Sequence, residues 1–142
     1  MSAQRTGTHR ATLALLSMVI ATRGAVAQVA SPVAAPAQTK GQSVVELGAL
    51  DLTDEIDSVA KRSLRLRRVT LEPGGVIALH SHKDRPAVIH ILQGSVVWHS
   101  EGKPDYVMSA GDTSPEGRTV NHWAENRGSA SAVWIAADIA KQ

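Results

Sequence analysis

The sequence predicts an all-β domain, an antiparallel sandwich or barrel. Three observations carry this. Beyond residue 43 the apolar residues fall in short runs of strand length. Turn signals punctuate these runs at near-regular intervals, at Glu72-Pro73-Gly74-Gly75, Gln93-Gly94, Ala110-Gly111-Asp112 and Pro115-Glu116-Gly117. No stretch after the first 27 residues combines helical length with a helical apolar period.

Length and composition narrow the possibilities further. The chain has 142 residues, enough for one domain. It has no cysteine, which removes disulfides, thiolate chemistry and cysteine-based zinc sites. With three Trp, one Tyr and no Phe, the core must be built from Val, Ile, Leu and Ala.

Residues 1–27 read as a secretory signal peptide. Arg5, His9 and Arg10 open it, an apolar run covers Ala11 to Ala21, and Ala25-Val26-Ala27 is a small-x-small cleavage site. The run is about half of the roughly 20 residues that cross a bilayer, so no membrane span is expected after cleavage. The expected location is periplasmic or secreted. Without the three arginines of this segment the chain carries 12 basic and 13 acidic residues, a net charge of −1. That balance offers no footprint for nucleic acid. Residues 28–43, rich in Ala, Pro, Ser and Gln, read as a disordered linker. The folded domain is expected over 44–142.

Within it, Val44 to Leu50 reads as a first strand and Asp51 to Asp57 as an acidic loop. Leu64 to Leu71 is a strand whose apolar phase changes at Arg67-Arg68, from Leu64 and Leu66 to Val69 and Leu71. A bulge or a switch of buried face would explain that change. After the Glu72–Gly75 turn, Val76 to His82 places Val76, Ala78, His80 and His82 on one face. Ala87 to Leu92 is continuously apolar, as in a strand buried on both faces. Strands over 95–99, 106–108, 119–124 and 132–137 complete the set.

Chemistry concentrates in His80-Ser81-His82 and in His122. A His-x-His pair in a strand puts two imidazoles on one face about 7 Å apart along the strand, suited to one transition metal if a neighbouring strand adds a third ligand. His122 is the candidate for that third place. His90 has the opposite parity to Ala87 and is expected to face away. His99 reads as structural or surface, and Glu116 as a solvated turn residue. Arg85, in the loop after the histidine pair, and Trp123 are the candidates for contact with a substrate; the fork-like donors of Arg85 suit an anion.

These two stretches resemble the cupin family. Gly74, His80, His82 and Gly94 fall in register with its first motif, and Gly111, His122 and Asn126 keep the outer spacing of its second. Two departures stand out. Ala87 occupies the position where the family has a glutamate ligand, and Pro115 and Gly117 come two residues early. The resemblance implies a single jelly-roll barrel holding a divalent transition metal (Fe, Mn, Zn, Ni or Cu) through His80, His82 and His122. It also implies a small-molecule ligand or substrate and pairing as a homodimer. The family hosts oxygenases, isomerases, sugar binders and regulators alike. Two functions therefore stand side by side: a metal-dependent enzyme, with a dioxygenase as its most specific form, and a non-catalytic ligand-binding or scaffold module. Alanine at position 87 leaves either a neutral three-histidine metal site or a pocket without metal.

Overall fold

The computed structural model describes residues 33–142. The expected signal peptide, residues 1–27, and the start of the expected linker lie outside the described residues. Eight strands follow in order: β1 (Lys40–Asp51), β2 (Arg62–Ser81), β3 (Ala87–Gln93), β4 (Ser95–Ser100), β5 (Tyr106–Ser109), β6 (Thr113–Glu116), β7 (Asn121–Glu125) and β8 (Ala132–Lys141). They form one antiparallel sheet in the order β5-β4-β7-β2-β8-β3-β6, with β1 added to β2. No helix occurs among the described residues. The sheet curls into a nearly closed jelly-roll barrel, as the sequence predicted.

The long strand β2 organises the barrel. Its first half, Arg62 to Leu71, pairs with β8; its last residues, Val76 to Ser81, pair with β7. The chain changes partner at the segment expected to be a turn, Glu72–Gly75, which instead continues the strand through a corner. Gly74 sits there at φ 70°, donates to the Asn126 carbonyl at 2.9 Å, and lies beside Gly75, whose carbonyl accepts from the Asn126 N–H at 3.0 Å. The buried Asn126 side chain clamps the corner by donating to the carbonyls of Leu71 and Ala130, both at 2.9 Å.

The first half of β2 has no phase change. Its register with β8 runs unbroken from Arg62↔Lys141 to Leu71↔Ala132. The inner stripe is Arg65, Arg67, Val69 and Leu71, while Leu64 and Leu66 face outward, 42% and 43% exposed. Neither the bulge nor the switch of buried face expected in this strand occurs against β8, because two arginines point inward, where Asp138 on β8 pairs with them; the register shift opposite Arg67 and Leu66 lies in β1, between Glu46 and Gly48. A further register shift lies later, between Ile77 and His80 in the pairing with β7. It puts Ile77 in the core beside the histidine face, where Val76 had been expected.

Two further boundaries moved. β1 starts at Lys40 rather than Val44, because backbone pairing such as Gln42↔Leu71 and Ser43↔Thr70 needs no apolar side chain. β3 is buried on one face only: Ala87, Ile89 and Ile91 point in, while Val88 and Leu92 are about half exposed. The core is aliphatic, centred on Leu71, Ile91 and Val96, with Trp98 and Trp134 meeting edge to face at 6.0 Å.

Candidate metal centre and its pocket

The corner of β2 and its pairing with β7 bring the three histidines together. His80 is directly opposite His122 across the two strands. His82 follows two residues on, at the end of β2, on the same side. The ligand atoms of His80, His82 and His122 all lie within 4.8 Å of one another. His82 and His122 are buried and His80 is partly so.

Hydrogen bonds settle which ring nitrogens are free. Nδ1 of His80 lies 3.0 Å from the Ala78 carbonyl, and Nδ1 of His82 lies 3.1 Å from the Arg85 carbonyl. A carbonyl only accepts, so both Nδ1 atoms carry the proton and both Nε2 atoms keep a lone pair. His82 Nε2 faces His122 Nε2 at 3.0 Å, and the buried Nδ1 of His122 has no partner. Nitrogens bound to one metal at about 2.0–2.1 Å sit about 3 Å apart, so a shared cation would accept the lone pairs that meet here. The second nitrogen of each ring bonded to a backbone carbonyl is the usual way a metal-binding imidazole is oriented. The donor set therefore fits a divalent transition metal.

The rings are held neutral. Burial, with the charges of His80 and Arg85, lowers His82 to about 4. Burial, with His80, His82 and Arg85, lowers His122 to about 3. His80 is also lowered, first by burial and then by Arg85 and Arg67, against the Ala78 carbonyl. Neutral imidazole is the form that binds a metal. Trp98 stacks on His122 at 4.9 Å and walls off one side of the group.

The histidines line a cavity of about 420 Å³ inside the barrel. Ala87 lines it too, in the inward position where the family motif has glutamate. Its cross-strand partner is Glu116 on β6. Directly opposite residues on paired strands have Cβ atoms about 5 Å apart, so the carboxylate absent from position 87 stands on the neighbouring strand. Glu116 is 2% exposed, not the solvated turn residue the sequence suggested. Thr113–Glu116 is an edge strand pairing only with β3, where Pro115 needs no ladder hydrogen bond. Burial pushes the Glu116 carboxyl above its ordinary range, against a 2.8 Å hydrogen bond from the Ser114 hydroxyl. Glu116 lies outside the close histidine group.

Arg85, the candidate for a ligand contact, lines the cavity. Arg65 and Arg67 line it as well. All three converge on Asp138, whose side chain is fully buried. Arg65 donates through Nε at 3.0 Å and Nη2 at 3.1 Å, Arg85 donates at 3.1 Å, and Arg67 donates to the same Oδ2. The sequence reading missed Arg65, Arg67 and Asp138. The signal was the unbroken period-two stripe through residues 65, 67, 69 and 71, matched by 132, 134, 136 and 138 on β8.

Trp123 does not meet the cavity. It alternates to the other face from His122 and stacks on His99, with ring centroids 3.6 Å apart and planes 4° from parallel. His99 is a buried structural residue, held by Asp105 at 2.8 Å and Glu125 at 2.9 Å. His90 faces outward and meets the Thr113 hydroxyl at 2.9 Å.

The cupin domain family matches residues 67–138. An oxalate-binding protein of Thermotoga maritima is 29% identical over 99 residues, covering 70% of this chain and 78% of that protein. Among solved structures, an RmlC-like cupin from Shewanella frigidimarina superposes with a TM-score of 0.54 at 18% identity, covering 72% of this chain and 78% of that one. An oxalate oxidase in complex with the substrate analogue glycolate gives a TM-score of 0.52 at 23% identity, covering 69% of this chain and 50% of that one. The chain spans less than two thirds of several of the solved structures it matches. At these identities the structural likenesses speak for the fold.

Proposed function

The chain belongs to the cupin family, and on that footing we propose that it holds one divalent transition metal on His80, His82 and His122 and binds a small molecule beside it. The observation that carries this reading is the histidine geometry. Three imidazoles converge, and two of them are oriented by backbone carbonyls so that Nε2 is free. A metal so held would supply a Lewis acid with open positions for a ligand. The chain's own residues do the rest. The Ala78 and Arg85 carbonyls orient the rings, Trp98 shields His122, and the cavity walls limit water. The likeness to an oxalate-binding protein supports a small, oxygen-rich ligand. The sequence of residues 1–27 supports export to the periplasm or beyond.

The test is elemental analysis of the purified protein beside a His80→Ala/His82→Ala double variant. The expected outcome is near-stoichiometric metal in the parent and its loss in the variant. No metal in the parent after reconstitution, with both proteins equally stable, overturns the reading.

One observation favours turnover over binding alone. The buried carboxyl of Glu116, held toward its protonated form, could give or take a proton at its carboxyl oxygens within the cavity. The enzymatic reading, a dioxygenase included, is checked by product formation and oxygen uptake of the metal-loaded protein on small acids. Absence of turnover leaves the binding reading.

We also propose that the working form is a homodimer. The outer face of the sheet is largely apolar across β1, β2, β8 and β3, with Leu50 opposite Leu64, Leu64 opposite Ile139, and Ala137 opposite both Leu66 and Val88; Arg68 and His90 flank Ile135 on it.

A further inference from the structure

The cavity carries a charge arrangement that the metal reading does not use. Three guanidiniums, of Arg65, Arg67 and Arg85, face one carboxylate, that of Asp138. That leaves an excess of two positive charges on the cavity wall, or of one when Glu116 is ionised. The arginine side chains are 28%, 17% and 31% exposed, so they are not sealed against a ligand. One carboxylate balances one cation, and surplus positive charge in a half-buried pocket favours an anionic partner.

A second, independent observation points the same way. Among the described residues three buried side-chain polar atoms lack a partner: Arg67 Nε, Trp98 Nε1 and His122 Nδ1. All three residues line this one cavity. Buried polar atoms are nearly always paired, with protein groups or ordered water, so their coincidence on the residues of one pocket marks it as a polar site. Arginine Nε and the indole nitrogen can only donate. A partner for such donors presents acceptor oxygens, and the guanidinium surplus favours a negative one.

We infer that this pocket is an anion site for a small carboxylate, gripped by Arg67 and Arg85, and that it binds without metal. Asp138 positions the arginine forks and does not neutralise them. Arg85 links the two halves of the cavity: its carbonyl orients His82 and its guanidinium reaches Asp138. The inference deepens the reading above by naming the ligand class of the same pocket, and it rests on that reading only for the second end of the ligand, at the histidines. A cavity of about 420 Å³ suits an acid of a few carbons.

The experiment uses chelator-treated, metal-free protein and calorimetric titration with malonate, beside its neutral counterpart malonamide. Malonate is expected to bind and malonamide not. Arg67→Gln and Arg85→Gln should each weaken malonate binding at least about tenfold, since hydrogen bonds to a charged group are worth about that much. Arg85→Lys keeps the charge but loses the fork and should fall in between. Arg85 is the partly exposed loop residue, so its variants decide the matter if Arg67→Gln does not fold. No malonate binding by the metal-free parent, equal binding of malonamide, or unchanged affinity in the Arg85→Gln variant overturns the inference. Failure of the metal reading looks different: no metal in the parent, with malonate binding and its arginine dependence intact.

Discussion

Asp138 is the residue on which the inner charge arrangement turns. It is fully buried and accepts from three arginines, two on β2 and one in the loop after it, so it ties β2 and the Arg85 loop to β8. Replacing it with Asn removes the only anion in contact with three clustered cations. Breaking a buried ion pair on one side costs about 3–5 kcal/mol, and Asp138→Asn is expected to lose that much in urea unfolding followed by tryptophan fluorescence. The pH dependence has a definite sign. Burial alone would raise this carboxyl, but the hydrogen bonds from Arg65 and Arg85 and the charges of Arg67 and Arg65 prevail and hold it below its ordinary value. A carboxyl lowered by folding contributes stability that is complete above its unfolded pKa of about 3.9 and lost as pH falls through the folded value. The stability gap between parent and variant should therefore stay constant above about pH 5 and narrow below about pH 4. A gap that does not change down the whole acid range would refute the assignment of Asp138 as the ionised hub.

At the scale of the strands, the glycine turns decide where the barrel closes. Gly94, between β3 and β4, sits at φ 72°, and a Cβ there would come within 2.8 Å of the Ser131 carbonyl oxygen. Gly102, in the β4–β5 loop, has the same φ of 72° but no atom within 4 Å of its would-be Cβ. The pair separates backbone strain from close approach. Gly102→Ala is expected to cost about 1–2 kcal/mol for the left-handed conformation alone. Gly94→Ala should cost clearly more in the same denaturation assay, and equal losses would show that the Ser131 contact has no weight. The same division explains what the sequence disclosed. The His80, His82 and His122 face, the turn at Gly94 and the outward His90 were legible because period-two alternation and a glycine turn are local properties. The start of β1, the corner through Glu72–Gly75 and the burial of Glu116 were not, because each depends on the strand that lies alongside. The arginine stripe is hidden by a sound habit of reading: Leu64 and Leu66 are the apolar positions of that segment, and burying leucine is favourable. Only the presence of Asp138 on β8, 71 residues beyond Arg67, makes the opposite choice stable.

Those two leucines govern behaviour at the scale of the whole molecule. Pointing the arginines inward turns Leu64 and Leu66 out, beside Leu50, Val88 and Leu92, each between 42% and 50% exposed. Ile135, Ala137 and Ile139 of β8 run through the middle of the same face. Soluble monomers rarely leave so continuous an apolar surface open to water. The occupant that fits is a second copy of the chain. A two-fold pairing needs one self-complementary patch, and this face is lined by leucine, valine, isoleucine and alanine except in the row of Ile135, where Arg68 and His90 stand. Four adjacent strands can also supply the roughly 800 Å² per partner that a stable interface takes. Sedimentation or light scattering at micromolar concentration is expected to give a dimer, and Leu64→Lys/Leu66→Lys to give a monomer that retains its metal and its malonate affinity. The double change leaves the inner face untouched, because residues 64 and 66 alternate with the arginines at 65 and 67. A parent that stays monomeric at high concentration would remove the dimer. A dimer that survives both lysines would place the contact elsewhere on the barrel. Retention of ligand binding by the monomeric variant would further show that each barrel carries its site alone, since the same alternation that exposes the leucines encloses the pocket.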